Sequence, residues 1–364
     1  MEDRNLKYLK LYVELRDGIV QGSWPYGARL PSRRQVAQER GLSIVTVEHS
    51  YELLCQEGYA EARPRSGFFV CYRESDGFAS AESKPRVRPA DGQKSEGEGF
   101  PFSVLARAMR KVLSDYGSAI LSKSPNTGVD ILREALSRYL ARNRGIQAEK
   151  EQIVIGSGAE YLYGLVVEML GNDRIFGIES PSYEKIEQVY RAKGVRCDLL
   201  PLGEDGIRSD ALSRTQATVL HITPFRSFPS GITASASKRS AYIRWASAGD
   251  RYIVEDDFES EFSLLRKPEE TVFSKSDRQN VIYMNTFSRT ISSSLRVGYM
   301  VLPKALLPLF SRRVGFYSCT VPAFEQYVLA ELIDSGDFER HINRMRRRKR
   351  RANEEGRDSG VHKG

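Results

Sequence analysis

The sequence predicts an α/β protein in two parts: a winged helix-turn-helix head and a larger body built on a mostly parallel sheet. Three observations carry this. Residues 6–70 read as helix, helix, turn, helix, hairpin. From 73 to 99 the apolar periodicity disappears into Ser, Gly, Pro and charge. Beyond that linker, short β-branched runs alternate with longer helical patterns, as parallel strands and their crossover helices do.

A chain of 364 residues is too long for one small core and predicts two or three domains. Hydrophobic residues at 40% and charged residues at 28% describe an ordinary globular protein. The net charge is +8, and part of the excess sits in "RMRRRKRR", Arg344 to Arg351. That balance is compatible with nucleic acid without requiring it. Cys55, Cys71, Cys197 and Cys319 are widely spaced with no C-x-x-C pair, which predicts reduced thiols in a cytoplasm and no disulfide framework or zinc site. Four scattered histidines give no metal cluster. The N-terminus "MEDRNLKYLK" has no apolar signal region and no run of 18 apolar residues occurs, so neither export by that route nor a membrane span is expected.

Element by element, "LKYLKLYVELRDGIVQ" (6–21) places Leu6, Leu9, Tyr12, Val13, Leu15, Ile19 and Val20 mainly on one helical face. Gly22, Pro25, Gly27 and Pro31 break it. Ser32 caps a short helix, "RRQVAQER", stopped at Gly41; Ser43 caps the next, "IVTVEHSYELLCQEG". "YAEARPRSGFFV" then reads as two extended pieces around a turn.

A helix that enters the major groove brings its N-terminal side chains to base edges, here Ser43, Ile44, Val45 and Thr46. Phosphate contacts need donors nearby: Ser32, Arg33 and Arg34 at the preceding helix start, and Arg63 and Arg65 in the wing. By itself the Arg33–Arg34 pair reads as a solvated helix face. The segment as a whole, with its Gly-Ala-Arg-Leu-Pro-Ser-Arg-Arg turn, Thr46-Val47, Tyr51, "EGY" and the Ser66-Gly67 wing, resembles the GntR-type winged helix-turn-helix of bacterial transcription regulators. The resemblance implies binding of double-stranded DNA. Many relatives carry a basic residue near Ile44 or Glu48; its absence here implies a weaker or more apolar base readout.

In the body, "QIVIGSG", "RIFGIES", "ATVLHIT", "RYIVEDD" and "NVIYMNTFS" read as strands whose following turns carry the polar residues. A phosphate-bearing cofactor is best held where backbone N–H groups at a helix start meet a hydroxyl and an arginine. Ser157, Gly158 and Ala159 supply the first; Ser288 and Arg296 supply the rest. Asp256, at a strand end, could pair with a pyridine nitrogen, and Tyr183 could stack on the ring. Alone, each of these motifs is usually structural. Their order, with "LREALSRYLARNRGI", "TPFRSFPSG", "VEDDFESEF", "TFSRTISSSLRVGYMVLP" and "FERHINRMRRR", resembles the large domain of a fold-type I aminotransferase, and the whole chain is similar to the MocR subfamily of regulators. That resemblance implies a pyridoxal 5′-phosphate-dependent-transferase-like fold, pyridoxal 5′-phosphate as cofactor or effector, and a head-to-tail homodimer sharing its cofactor sites. It places Ser157, Gly158, Ala159, Ser288 and Arg296 at the phosphate, Tyr183 on the ring and Asp256 at its nitrogen.

Two departures stand out. The Schiff-base lysine position holds Arg289, whose guanidinium stays protonated and has no amine lone pair, so it can neither make the imine bond nor shuttle a proton. The tyrosine that would bond the ring oxygen is Phe258, and Lys275 lies too far back in a turn-rich stretch to substitute. The expected organisation is a head at 1–72, a linker at 73–99, an aminotransferase-like domain at 100–350 and a polar tail at 351–364, with the family's C-terminal small domain missing by truncation or frame change. The basic run is expected to be a solvated helix face. The reading is a DNA-binding regulator, dimeric, without transaminase activity, taking pyridoxal phosphate or a related small anion only noncovalently. A working aminotransferase and a nonfunctional remnant of such a regulator are the alternatives.

Overall fold

The computed structural model describes residues 2–64, 66–73, 99–262, 269–276 and 280–358. The chain divides into two compact units, Met1–Lys94 and Ser95–Gly364. The expected linker falls almost wholly outside the described residues.

The head opens with α1 (Glu2–Val20), α2 (Arg33–Arg40) and α3 (Ile44–Gln56) and closes with the hairpin β1 (Ala60–Arg63) and β2 (Gly67–Val70). Both caps read from the sequence are present. Ser32 Oγ accepts from the Gln35 N–H at 3.2 Å and Ser43 Oγ from the Thr46 N–H at 3.1 Å, each satisfying a helix-start donor. Gly41 ends α2 at φ +60°, a left-handed conformation that glycine adopts without a Cβ clash. Leu11, Tyr12, Leu15 and Ile19 of α1 pack with Val47, Tyr51 and Leu54 of α3 in one core. The Tyr51 hydroxyl donates to the Pro31 carbonyl at 2.8 Å, tying α3 to the turn before α2.

The body is an eight-stranded sheet with helices on both faces. Its strands are β3 (Ile153–Gly156), β4 (Ile175–Ser180), β5 (Arg196–Gly203), β6 (Gly206–Ile207), β7 (Val219–Ile222), β8 (Tyr252–Asp256), β9 (Val281–Thr286) and β10 (Gly298–Val301), in the order β3-β10-β9-β8-β7-β4-β5-β6. The run from β9 through β8, β7 and β4 to β5 is parallel, while β10 lies antiparallel between β9 and β3, and β6 antiparallel to β5. The five strands read from the sequence are all present. β5, β6 and β10 were not foreseen: β5 is half exposed, β6 is two residues long, and "GYMV" is too short to stand apart from the loop before it.

One face is covered by α4 (Phe102–Tyr116), α5 (Asp130–Arg144), α12 (Ala323–Asp334) and α13 (Asp337–Asp358), around Leu132, Leu136, Leu332 and Phe338. Opposite lie α6 (Ala159–Leu170), α7 (Glu184–Ala192) and α11 (Leu307–Arg313) around Val166, Phe176 and Tyr190. α8 (Ser209–Arg214), α9 (Ala236–Ala246) and the single turn α10 (Val272–Lys275) enclose a third cluster near β7 and β8. α13 continues to Asp358, past the point where the sequence reads as a polar tail. Its basic run is not only a solvated face, since Arg346 Nε donates to the Glu261 carbonyl at 2.5 Å.

Candidate functional site

The carboxyl ends of the parallel strands, where open α/β sheets place ligands, form a pocket of about 270 Å³. Its lining joins residues far apart in sequence: Ala159 and Glu160 at the start of α6, Tyr183 before α7, Asp256 and Phe258 after β8, and Ser288, Arg289 and Arg296 after β9. Tyr163, Ile186, Phe228 and Thr286 complete it. Five of the seven residues expected at the cofactor therefore meet here, with Phe258 and Arg289. Ser157 and Gly158 stand just behind, and their N–H groups have partners. The Ser157 N–H donates to the Thr320 hydroxyl at 3.2 Å and the Gly158 N–H to the Gly156 carbonyl at 2.8 Å. The donors left for an anion are those of the first turn of α6, which have no intrahelical acceptor.

Asp256 is buried at the floor. Oδ2 accepts from the Tyr163 hydroxyl, which burial holds protonated far above the usual phenol range. The Tyr190 hydroxyl, protonated for the same reason, shares a hydrogen bond with His221 Nδ1 at 2.7 Å. His221 Nε2 faces Asp256 Oδ2 at 3.6 Å, longer than a hydrogen bond. Asp256 Oδ1 is buried without a protein hydrogen-bond partner. A buried oxygen of this kind calls for a donor. A protonated ring nitrogen would supply one.

The cations of the pocket are already paired. Arg289 Nη2 donates to Oε1 of Glu259, and Arg226 Nε lies 3.7 Å from that carboxylate's other oxygen. Arg296 Nη2 donates to Glu160 Oε2, while Lys185 Nζ donates to Glu160 Oε1 at 2.8 Å. Lys185, followed by Arg296, holds the Glu160 carboxyl below its usual range. Gly158 lets Arg296 lie close over the helix start, since a Cβ there would meet its Nη2 at 3.2 Å. The wall that would face a ring hydroxyl is phenyl, from Phe258 and Phe228, with Tyr183 edge-on to Phe228 at 6.4 Å. Phosphate end, ring face and ring nitrogen thus find fitting side chains. The imine bond and the hydroxyl partner do not.

Sequence reasoning missed Glu160, Lys185, Tyr163 and Glu259. A signal for Glu160 existed, because an acid in the first turn is the ordinary complement of a helix dipole and reads as structural. Lys275 pairs with Glu270 at 2.6 Å and does not line the pocket.

In the head, Ile44 and Val45 are 49% and 60% exposed at the start of α3, with Ser43 and Thr46 hydroxyls 2.8 Å apart beside them. Arg34 is exposed and has no side-chain partner among the described residues. Arg33, by contrast, donates to Glu48 of α3 and lies over the Phe68 ring at 5.7 Å. Arg63 pairs with Glu61 at 2.6 Å and stacks on Phe69. Gly67 adopts φ +108°, and a Cβ there would come within 3.2 Å of Arg29, a wing neighbour that sequence reasoning passed over. Arg65 lies outside the described residues. Among those described, no helix is long and apolar enough to cross a membrane, and no group of three His, Cys, Asp or Glu is placed to hold a metal ion.

A winged reader joined to a transferase-type sheet defines a two-domain regulator class, and comparison with known proteins places the chain in it. Residues 7–70 match the family "Bacterial regulatory proteins, gntR family", and residues 92–357 match "Aminotransferase class I and II". The chain belongs to the MocR-like regulators, in which these two domains are fused, and is a DNA-binding transcription regulator with an aminotransferase-like domain. It is 31% identical over 360 residues to the uncharacterized HTH-type transcriptional regulator YdeL of Bacillus subtilis (strain 168), covering 95% of this chain and 77% of that protein. Identity to the probable rhizopine catabolism regulatory protein MocR of Rhizobium meliloti is 29% over 363 residues, covering 93% and 74%. Among solved structures, LysN, the α-aminoadipate aminotransferase of Thermus thermophilus complexed with N-(5′-phosphopyridoxyl)-L-leucine, superposes with a TM-score of 0.60 at 27% identity. That match covers 68% of this chain and spans 64% of that one, less than two thirds of its length.

Proposed function

We propose that the aminotransferase-like body dimerises and acts as a sensor that takes pyridoxal 5′-phosphate, or a related small anion, without covalent capture and without transamination. The observation that carries this is Arg289. It occupies the pocket where an amine would have to sit, and Glu259 fixes it there as a guanidinium. When bound, pyridoxal phosphate would supply an electron-sink ring; among the described residues no lysine lines the pocket to use it. Tyr183 would stack on the ring and Asp256 Oδ1 would accept from its nitrogen. Ser288, Arg296 and the α6 start, with Ser157, Gly158 and Ala159, would hold the phosphate. In the head, the donors proposed for DNA phosphates are Ser32, Arg33, Arg34, Arg63 and Arg65, with Gly67 shaping the wing; Ser43, Val45 and Thr46 would face the bases. A dimer would set two heads on paired half-sites.

The test is a pair of pyridoxal phosphate titrations, on the natural chain and on Arg289→Lys with Phe258→Tyr, each followed by borohydride. The expected result is binding without a reducible adduct in the first and a reducible adduct in the second. An adduct at the pocket in the natural chain overturns the noncovalent reading. Absence of binding by both reduces the body to a dimerisation scaffold. Sedimentation showing only monomer at micromolar concentration would count against the dimer.

A further inference from the structure

We infer that Glu160 is a chain-borne competitor for the anionic end of the ligand: it holds Arg296 while the pocket is free and yields it, keeping Lys185, when a phosphate arrives. The inference rests on the effector reading above and gives that site its affinity control.

The geometry supports an exchange rather than a fixed bridge. Glu160 divides its two oxygens between two cations, Oε2 to Arg296 and Oε1 to Lys185 at 2.8 Å. A phosphate that takes Arg296 therefore does not leave the carboxylate unpaired. Both Glu160 and Arg296 line the pocket, and the Arg296 side chain is half exposed, so the exchange needs no opening of the core. The first turn of α6 offers N–H donors and a positive dipole end to the incoming anion. Independently, the buried, unpartnered Asp256 Oδ1 marks the same pocket as built for a ligand with an N–H donor at its other end. Lys185 stands two positions after Tyr183, the residue placed to stack on the ring. Letting go of Arg296 would thus shift the Glu160 contact toward α7 and the aromatic wall.

Such a device lowers affinity for phosphate esters and leaves the ring contacts alone. The experiment uses the full chain, Glu160→Gln and Lys185→Met, each titrated with pyridoxamine 5′-phosphate and with pyridoxamine. Neither ligand has the aldehyde that would label surface lysines. Glu160→Gln should tighten the phosphate ester about fivefold, the upper range for a partly exposed ion pair, and leave pyridoxamine unchanged. Lys185→Met should weaken the ester by a similar factor, because Glu160 is then left with Arg296 as its one cation. If the natural chain binds the ester and Glu160→Gln binds it no tighter, the competitor role is overturned while the effector reading stands. Equal shifts for both ligands overturn it too, since the effect would not be on the phosphate. If folded natural chain and Glu160→Gln both fail to bind at millimolar ester, the effector reading and the inference fall together.

Discussion

Arg289 donates from Nη2 to Glu259 Oε1, so this guanidinium of the pocket is anchored by a carboxylate whose side chain is only 9% exposed. The pair gives Arg289 a fixed place in the pocket. Arg289→Met leaves Glu259 with Arg226 at 3.7 Å as its nearest cation. Because Arg289 is itself half exposed, the expected loss is modest, about 1 kcal/mol in urea unfolding of the body. Arg289→Lys should lose less. A Met variant as stable as the natural chain would mean the pair contributes nothing.

A larger effect is expected at Arg144. Its side chain is 5% exposed and pairs with the fully buried Asp257, which also accepts from the Tyr283 hydroxyl at 2.8 Å. Removing one partner of a buried pair strands the other, at a cost of about 3–5 kcal/mol. Arg144→Met should therefore move the urea midpoint far more than Arg289→Met. Equal shifts would contradict the burial argument.

Burial raises the carboxyls of Glu179 to about 8 and of Glu255 and Glu261 to about 7 from an ordinary 4.5. Hydrogen bonds from the Ser227 hydroxyl, from the Val272 and Phe273 N–H groups, and from Asn285 oppose the rise without cancelling it. Between those limits the folded state binds protons that the unfolded chain has released, so stability falls as pH rises. Their contribution is complete below pH 4.5 and lost as pH passes 7 to 8. Thermal midpoints of the body should decline from about pH 5.5 to about pH 8.5, and Glu179→Gln should flatten the upper part of that decline.

For DNA, Arg34→Ala should weaken all sequences alike and reduce the salt slope by about one unit. Arg33→Ala should do less, because Arg33 must first leave Glu48. Thr46→Ala should relax sequence preference. Binding assays across salt on selected and random duplexes check all three, and equal affinity of the natural chain for both duplexes would sink specific readout.

Caps, turns and five strands were legible because each depends on residues within one short window, as with Ser32 and Gln35 or Ser43 and Thr46. The pocket lining was legible where a motif fixes a residue at a strand or helix end, as for Asp256 and Arg296. What escaped depends on partners distant in sequence. Glu259 meets Arg289 only because β8 and β9 lie side by side. Glu160 meets Arg296 only because β10 returns antiparallel beside β3. The Arg33–Glu48 contact is similar in kind: α2 and α3 must pack before a supposed phosphate donor is seen to have an acid beside it.

That returning strand also sets a schedule for synthesis. β3 lies at the sheet edge and pairs with β10 alone, and β10 begins at Gly298 while β3 ends at Gly156. At roughly 5–20 residues per second, a chain leaving the ribosome carries an unpaired, wholly apolar "IVI" strand on the order of ten seconds before its neighbour exists. Until then the α6 start and Arg296 have not been brought together, and the exposed strand is open to pairing with other nascent chains. Release of a chain short of residue 298 would leave β3 without its partner strand, so the whole interval between synthesis of β3 and of β10 leaves that edge open to other chains.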